Sequence, residues 1–170
     1  MVLRAQCNDR EALELLLRSV QPSLHRYLSG LVGTRHADDV LQDVFVLVCR
    51  KLVWLQTPQL FRPWAFRIAS RAAFRHLRKE RRRLEQSGDD SMLEAMPAPP
   101  DRPSEQLLEQ LLNSNALSPA SRAVLVLHFQ EEMALPEVAA ILEIPLGTVK
   151  SRLAFGLTAL RKHLAEKRSR

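Results

Sequence analysis

Basic side chains recur at helical spacing between residues 61 and 85. Five arginines step along this segment at intervals of four, four, three and four residues, and they are Arg67, Arg71, Arg75, Arg78 and Arg82. At about 100° per residue they form one stripe along a helix. Eight of the 17 residues from 67 to 83 are basic and one is acidic. A solvated basic face is the plain alternative, but such self-repulsion favours contact with a polyanion, because arginine pairs bidentately with phosphate.

Aromatic residues surround the loop that precedes this basic helix. Trp54 comes before the loop at 55–60, and Phe61, Trp64 and Phe66 come after it. Aromatic rings beside a basic helix can stack on unpaired bases. Packing in the core is the default interpretation for most of them, and a loop that holds one extruded base is the sharper alternative.

A second chemically suggestive segment lies near the C-terminus. Leu135–Leu142 and residues 146–157 have the apolar spacing of two helices, and Pro145 breaks the chain between them. The second of these helices exposes polar and basic residues near its N-terminus, namely Thr148, Lys150, Ser151 and Arg152. A recognition helix places this end in the major groove of DNA. A helical hairpin without a ligand is the alternative, which the basic C-terminal block makes the weaker one.

Catalytic and metal-binding patterns are missing from the sequence. Cys7 and Cys49 stand alone, the five histidines have no ligand spacing, and no glycine-rich phosphate loop occurs. We therefore expect no enzyme, no metal and no cofactor, with both thiols reduced in the cytoplasm. No apolar run approaches the roughly 20 residues that a membrane span needs, and no secretory signal is recognisable.

Composition and charge indicate two basic helical blocks around an acidic middle. The chain has only five glycines and a net charge of +6. Residues 1–86 carry a net +8, residues 87–146 a net −8 and residues 147–170 a net +6. Basic blocks attract polyanions, whereas the acidic middle must face solvent or a basic protein surface. The scarcity of glycine favours an all-α chain. The charge distribution favours contact with nucleic acid at two places.

The chain divides at an acidic, proline-rich segment over residues 87–103. It contains four prolines and little to bury, which predicts a linker between domains at 1–86 and 104–170. Upstream we predict four helices: one capped by Asn8 or Asp9, one from Pro22 to the glycines at 30 and 33, one over 36–54 with acidic residues in its first turn, and one over 61–85. Downstream we predict helices over 104–114, 118–132, 135–142 and 146–165.

Three motifs resemble bacterial sigma factors of the extracytoplasmic-function (ECF) group. Residues 37–45 read ADDVLQDVF and resemble the polymerase-binding helix of sigma region two. Residues 61–69 read FRPWAFRIA, run into HLRK, and resemble the helix that binds the promoter −10 element. Residues 144–153 read IPLGTVKSRL and closely resemble the −35 recognition helix of region four.

The resemblance implies a sigma factor that directs RNA polymerase core enzyme to promoters. It implies that the β and β′ subunits and promoter DNA are partners, and an anti-sigma protein is a further candidate because many relatives are held inactive by one. The residues implied in polymerase binding are Asp38, Asp39, Gln42, Asp43 and Phe45. Those implied at the −10 element are Trp64, Arg67, Arg71, Arg75, Arg78, Lys79 and Arg82. Those implied at the −35 element are Thr148, Lys150, Ser151 and Arg152.

The sequence also departs from the family pattern. Arg71 and Arg75 stand where Asn and Asp are frequent, which leaves the −10 sequence open. Glu143 occupies the turn where glycine is usual, so a positive φ there would cost about 1–2 kcal/mol. Ala134 replaces a usual serine cap, a loss of about 1 kcal/mol. A stand-alone helix-turn-helix regulator, which would bind duplex DNA without polymerase, is the alternative function.

Overall fold

The computed structural model describes residues 1–86 and 117–168. These residues form helices and turns, with no strand among them, so the predicted all-α class is confirmed. The chain splits into two compact units, Met1–Asp89 and Asp90–Arg170. The predicted linker over 87–103 and the predicted helix over 104–114 lie outside the described residues.

The first unit is built around three long helices. A short helix α1 (Val2–Gln6) comes first. It is followed by α2 (Arg10–Val32), α3 (Thr34–Lys51) and α4 (Phe61–Gln86). Two 3-10 turns, Leu52–Trp54 and Pro58–Leu60, connect α3 to α4. Helices α2, α3 and α4 pack on one another around the fully buried side chains of Leu24, Tyr27, Leu28, Val44, Val48 and Phe66.

The predicted break at Pro22 is wrong, because α2 runs through it. Leu16, Val20, Leu24 and Leu28 recur every four residues on both sides of Pro22, and all are buried. Burial of this unbroken apolar stripe offsets the cost of about 3 kcal/mol that a proline imposes inside a helix.

The glycine end of α2 was predicted in part. Gly33 ends the helix with φ 81°, and its N–H donates to the carbonyl of Ser29. Gly30 lies inside the helix, so its predicted role as a helix end is wrong. The predicted cap at the other end is confirmed, because the Asp9 carboxylate accepts from the N–H of Ala12 at 3.0 Å.

Helix α3 begins at Thr34, two residues earlier than predicted. Asp38 and Asp39 therefore lie beyond its first turn, and the predicted dipole contact there is wrong. Asp38 instead places a carboxylate oxygen 3.2 Å from Nε2 of His25 on α2. The loop before α4 is also more ordered than predicted, because Pro58–Leu60 forms a 3-10 turn.

The second unit contains three described helices. They are α5 (Pro119–Leu125), α6 (Leu135–Leu142) and α7 (Leu146–Arg168). The predicted cap is confirmed, because Ser118 Oγ accepts from the N–H of Ser121 at 3.2 Å. The predicted helix over 118–132 is helical to Gln130, but from Val126 to Gln130 it is wound as a π-helix. The core contains the buried side chains of Val124, Leu125, Leu127, Val138, Val149 and Leu160.

Within residues 1–86 and 117–168, no helix combines the length and the apolar character that crossing a bilayer requires. The same residues contain no group of three or more His, Cys, Asp or Glu side chains arranged to hold a metal ion.

Candidate nucleic-acid and polymerase interfaces

Helix α4 presents one basic face opposite its buried one. The buried face contains the five predicted side chains, Phe61, Ala65, Ile68, Ala69 and Ala72, and is widened by Phe66, Ser70 and Ala73. The five arginines of the stripe and Trp64 fall within about 80° of arc on the other side. Arg71, Arg75, Arg78 and Arg82 are exposed, as is Lys79, while Arg67 and Trp64 are half-buried. The predicted stripe is therefore confirmed as a surface.

The ion pairs along α4 leave most arginines of this stripe without an acidic partner among the residues that the structure describes. Arg81 binds Glu85 at 3.1 Å, and Arg83 binds Glu80 at 3.0 Å, both along the helix. In the described part of the chain, no ion pair involves Arg75, Arg78, Lys79 or Arg82. The acidic residues of α4 therefore neutralise the flanking arginines and leave these four cations facing solvent.

The aromatic cluster separates into core and surface members. Phe61 and Phe66 are buried, and Phe66 packs edge-on against Tyr27 with centroids 5.4 Å apart. Trp64 is half-buried, with its ring 6.1 Å from that of Phe61. Trp54 has 79% of its surface exposed. Core packing, the default interpretation for most of these residues, holds for the two phenylalanines, whereas Trp54 is a surface residue.

Trp54 lies outside the three sequence motifs, although it is one of the aromatic residues that the sequence indicates for stacking on unpaired bases. Two apolar side chains of the same connecting segment are also exposed, Val53 at 61% and Leu60 at 52%. The helical period of α3 ends at Lys51, so the sequence carries no signal for the direction of the side chains that follow. The three exposed side chains lie at the two 3-10 turns that lead into the basic helix.

The five side chains predicted to bind polymerase lie along α3. Asp38, Asp39, Gln42 and Asp43 are exposed, and Phe45 is half-buried. At 100° per residue, Asp38, Gln42 and Phe45 form one row, and Asp39 and Asp43 form the next. The first row lines a groove between α2 and α3 of about 530 Å³, whose other lining residues include Gln21, Val46 and Cys49.

One member of the second row, Asp43, lines a different groove. Asp43 lines a cleft of about 360 Å³ between α3 and α4. Arg75, His76 and Lys79 of α4 line the same cleft. The structure therefore does not gather the five predicted residues around one groove, and it brings Asp43 beside two members of the basic face.

The second unit contains the predicted helix-turn-helix. Helix α6 ends at Glu143, which has φ 56° and ψ 44°. The N–H of Ile144 donates to the carbonyl of Ala139 at 3.2 Å, which closes the turn. The positive φ at the usual glycine position is confirmed, and it strains the glutamate by about 1–2 kcal/mol. At the start of α6, Glu137 accepts from the N–H of Ala134 at 2.9 Å and supplies half of a capping box.

The N-terminal end of α7 is fixed by one buried side chain. Val149 is fully buried, whereas Lys150 is exposed, and Thr148, Ser151 and Arg152 are half-buried. The Ser151 hydroxyl donates to the carbonyl of Thr148 at 3.0 Å. The four predicted side chains spread over about 200° of arc, with Lys150 and Arg152 at opposite flanks. A helix end inserted in a groove can reach both walls with that arrangement.

Fold and surface together define an all-helical protein of two units, with a basic helix in one and a helix-turn-helix in the other. Residues 16–83 match the model of sigma-70 region 2, and residues 115–162 match that of sigma-70 region 4. The chain belongs to the ECF group of the sigma-70 family. It is a sigma factor, which directs RNA polymerase to specific promoters and initiates transcription. Proteins of this kind are in general not enzymes.

Individual relatives align over nearly the whole chain. The ECF RNA polymerase sigma factor SigW of Bacillus subtilis is 26% identical over 171 residues, which cover 93% of this chain and 91% of SigW. The ECF RNA polymerase sigma-E factor of Escherichia coli K12 is 27% identical, covering 90% of this chain and 86% of its own. The fold is similar to that of the sigma factor RpoE in a co-crystal structure with the anti-sigma factor NepR from Bartonella quintana. The TM-score is 0.70 at 23% identity, with 93% of this chain and 97% of that one covered.

Proposed function

We propose that this sigma factor contacts its promoter with two separate surfaces. The basic face of α4, with Trp54 and Trp64, binds the −10 element while its strands are being separated. The N-terminal end of α7, with Thr148, Lys150, Ser151 and Arg152, reads the −35 element in duplex form. The domains that carry these surfaces are residues 1–86 and 104–170, and residues 87–103 connect them.

The availability of the cations on α4 supports this proposal most directly. Arg75, Arg78, Lys79 and Arg82 are exposed and have no acidic partner in the described residues. Four neighbouring cations repel one another in water, and phosphates neutralise them while counterions are released. Trp54 adds an exposed indole seven residues before the start of the same helix, and an unpaired base can stack on it.

We propose that α3 docks the polymerase through both of its exposed rows. Asp39 and Asp43 provide charge for basic partner side chains, and Phe45 provides apolar area. Asp43 lines a cleft with Arg75 and Lys79, so polymerase bound to α3 would lie against DNA bound to α4. We assign the docking surface on the polymerase to its β′ clamp, with β as the second subunit in contact.

Run-off transcription with purified core polymerase tests the proposal. A promoter is first selected from a randomised library by the holoenzyme, and core enzyme alone is the control. We expect transcripts only with both components, and a loss of transcription when Arg75, Arg78 and Arg82 are replaced by Gln together. Equal transcription by this triple variant would contradict the role of the basic face. Tight, specific binding to duplex DNA without polymerase would favour a stand-alone regulator instead.

We further propose that an anti-sigma protein regulates this chain in the cytoplasm. A fold neighbour, RpoE of Bartonella quintana, was crystallised with its anti-sigma factor NepR. A protein that covers the α4 face or the α7 end would prevent promoter binding by competition. Purification of the tagged chain from its native cells, followed by identification of stoichiometric partners, tests this proposal.

A further inference from the structure

The side chain of Gln6 joins the N-terminal helix to the turn that follows α3. Its Nε2 donates to the carbonyl oxygen of Leu52 at 2.9 Å and to that of Leu55 at 2.8 Å. One amide group has two N–H donors, so both are used on these carbonyls. The two acceptors begin and end the short segment that contains Val53 and Trp54.

These carbonyls lie at the two ends of the turn that follows α3. Helix α3 ends at Lys51, and the 3-10 turn Leu52–Trp54 uses one of the carbonyls, because the N–H of Leu55 donates to Leu52 at 3.0 Å. Leu55 then has φ −76° and ψ 99°, an extended conformation that takes the chain away from the helix. Gln6 therefore supplies a second donor to the carbonyl of Leu52 and a donor to the carbonyl of Leu55. It thereby fixes the direction in which the 55–60 loop departs.

Helix α1 is itself held in place on α2. Asp9 uses one carboxylate oxygen to cap α2 at the N–H of Ala12, and its other oxygen lies 2.7 Å from Nε of Arg4 on α1. The hydrogen bonds from Ala12 and from Arg4 lower the pKa of Asp9 below its usual value. Ala5 of α1 is buried, and α1 packs against α2. The hydrogen bonds of Gln6 therefore start from a positioned helix.

We propose that Gln6 is a positioning residue for the capture of unpaired promoter bases. By holding the carbonyls of Leu52 and Leu55, it orients the exposed ring of Trp54 between them and the start of the 55–60 loop. The N-terminal helix thereby sets the shape of the −10 binding surface without contacting DNA. This inference rests on the function proposed above.

The test measures how holoenzyme binds a fluorescein-labelled single-stranded oligonucleotide that carries the non-template −10 sequence of the selected promoter. Gln6→Leu removes both donors at similar volume, and Gln6→Glu presents an acceptor to two carbonyl oxygens. We expect each change to weaken binding by about five- to tenfold, the value of one or two hydrogen bonds. Gln6→Lys keeps a donor at the same carbonyls and should bind within about twofold of the parent.

Two controls separate positioning from folding. Affinity for core polymerase should be the same in all Gln6 variants, because α3 keeps its exposed rows. Leu3→Ala changes an exposed side chain of the same helix, 65% exposed, and should leave oligonucleotide binding unchanged. If Gln6→Leu lowers the helix content measured by circular dichroism, the role of Gln6 is judged from the other pair of variants. Oligonucleotide binding should then be weaker in Gln6→Glu than in Gln6→Lys.

The outcomes distinguish this inference from the proposed function. Parental affinity in Gln6→Leu, an equal loss in Gln6→Lys and Gln6→Glu, or a matching loss of core-polymerase affinity would each overturn the role of Gln6 while leaving the proposed function intact. A parental holoenzyme that transcribes but does not bind the −10 strand would overturn the proposed −10 surface, and the inference with it.

Discussion

Tyr27 and Ser70 are joined by a hydrogen bond of 2.7 Å across the core of the first unit. Ser70 donates its single hydroxyl proton to the carbonyl of Phe66 at 2.8 Å, so the phenol of Tyr27 is the donor to Ser70. Both side chains are buried, and the bond ties α2 to the helix that carries the basic face. A polar pair of this kind orients α4 about its axis, which apolar packing alone specifies less sharply.

The direction of that bond predicts unequal effects of removing its two ends. Ser70→Ala leaves a buried phenol without an acceptor and should lower the free energy of unfolding by about 1–3 kcal/mol. Tyr27→Phe leaves Ser70 bonded to Phe66 and should cost about 1 kcal/mol. Urea unfolding followed by tryptophan fluorescence measures both, because Trp54 and Trp64 lie in this unit. A larger loss in Tyr27→Phe would show that the donor is assigned wrongly.

Burial of Tyr27 also predicts a loss of stability at alkaline pH. Burial raises the pKa of its phenol above the ordinary value of 10.0. Above pH 10 the unfolded chain loses this proton while the folded chain keeps it, so stability falls by about 1.4 kcal/mol per pH unit. Tyr27 is the only tyrosine of the chain, so tyrosinate absorbance reports it alone. Tyr27→Phe should lack this component of the pH dependence.

The close contact of α5 with α7 predicts the cost of a methyl group at Gly156. A Cβ there would lie 2.8 Å from Cδ1 of the fully buried Leu125 and 3.5 Å from Cβ of Ser121. Gly156→Ala should destabilise the second unit by about 1–3 kcal/mol. Hydrogen exchange of peptides from α5 and α7 measures this in the full chain.

Gly147 provides the matched control on the same helix. A Cβ at Gly147 meets nothing within 4 Å, so Gly147→Ala should be neutral or should stabilise α7 by up to about 1 kcal/mol. Similar hydrogen exchange in the two variants would mean that the contact with Leu125 does not limit the packing of α7.

We expect Lys150 and Arg152, on opposite flanks of α7, to contribute independently to promoter choice. Lys150→Ala and Arg152→Ala should each weaken use of the −35 element by about 1–3 kcal/mol per lost base contact. Because the two side chains lie at opposite flanks, their effects should add. Lys162→Ala removes an exposed cation of the same helix and serves as control. Transcription from promoters with permuted −35 sequences measures the preference, which should stay unchanged only in the control.

The exposed acids of α3 predict the strength of polymerase binding. The double change Asp39→Ala and Asp43→Ala should weaken core-polymerase affinity about three- to tenfold, as expected for two exposed charge pairs. Glu14→Ala on α2 removes an exposed acid that pairs with Arg18 at 2.6 Å and should have no effect. Fluorescence anisotropy of labelled sigma factor titrated with core enzyme measures the affinities. An undiminished affinity in the double variant would remove these acids from the polymerase interface.

Local patterns in the sequence were enough for much of the fold and part of the site. The bounds of α6 were predicted to the residue, and those of α4 within one. The arginine stripe follows from the spacing alone, because side chains four residues apart share a helix face whatever surrounds the helix. The caps at Asp9 and Ser118 are equally local, since each side chain binds an N–H three residues away.

Tertiary structure decided the features that depend on residues far apart in the chain. Helix α2 continues through Pro22 because α3 and α4 cover one apolar stripe on both sides of it. The side chain of Trp54 follows the end of α3 at Lys51, so the helical period of α3 does not predict its direction. Gln6 donates hydrogen bonds to carbonyl groups 46 and 49 residues further along the chain. Spacing within a segment fixes which side chains share a face, but only the packing of segments fixes which face is covered and which groups meet.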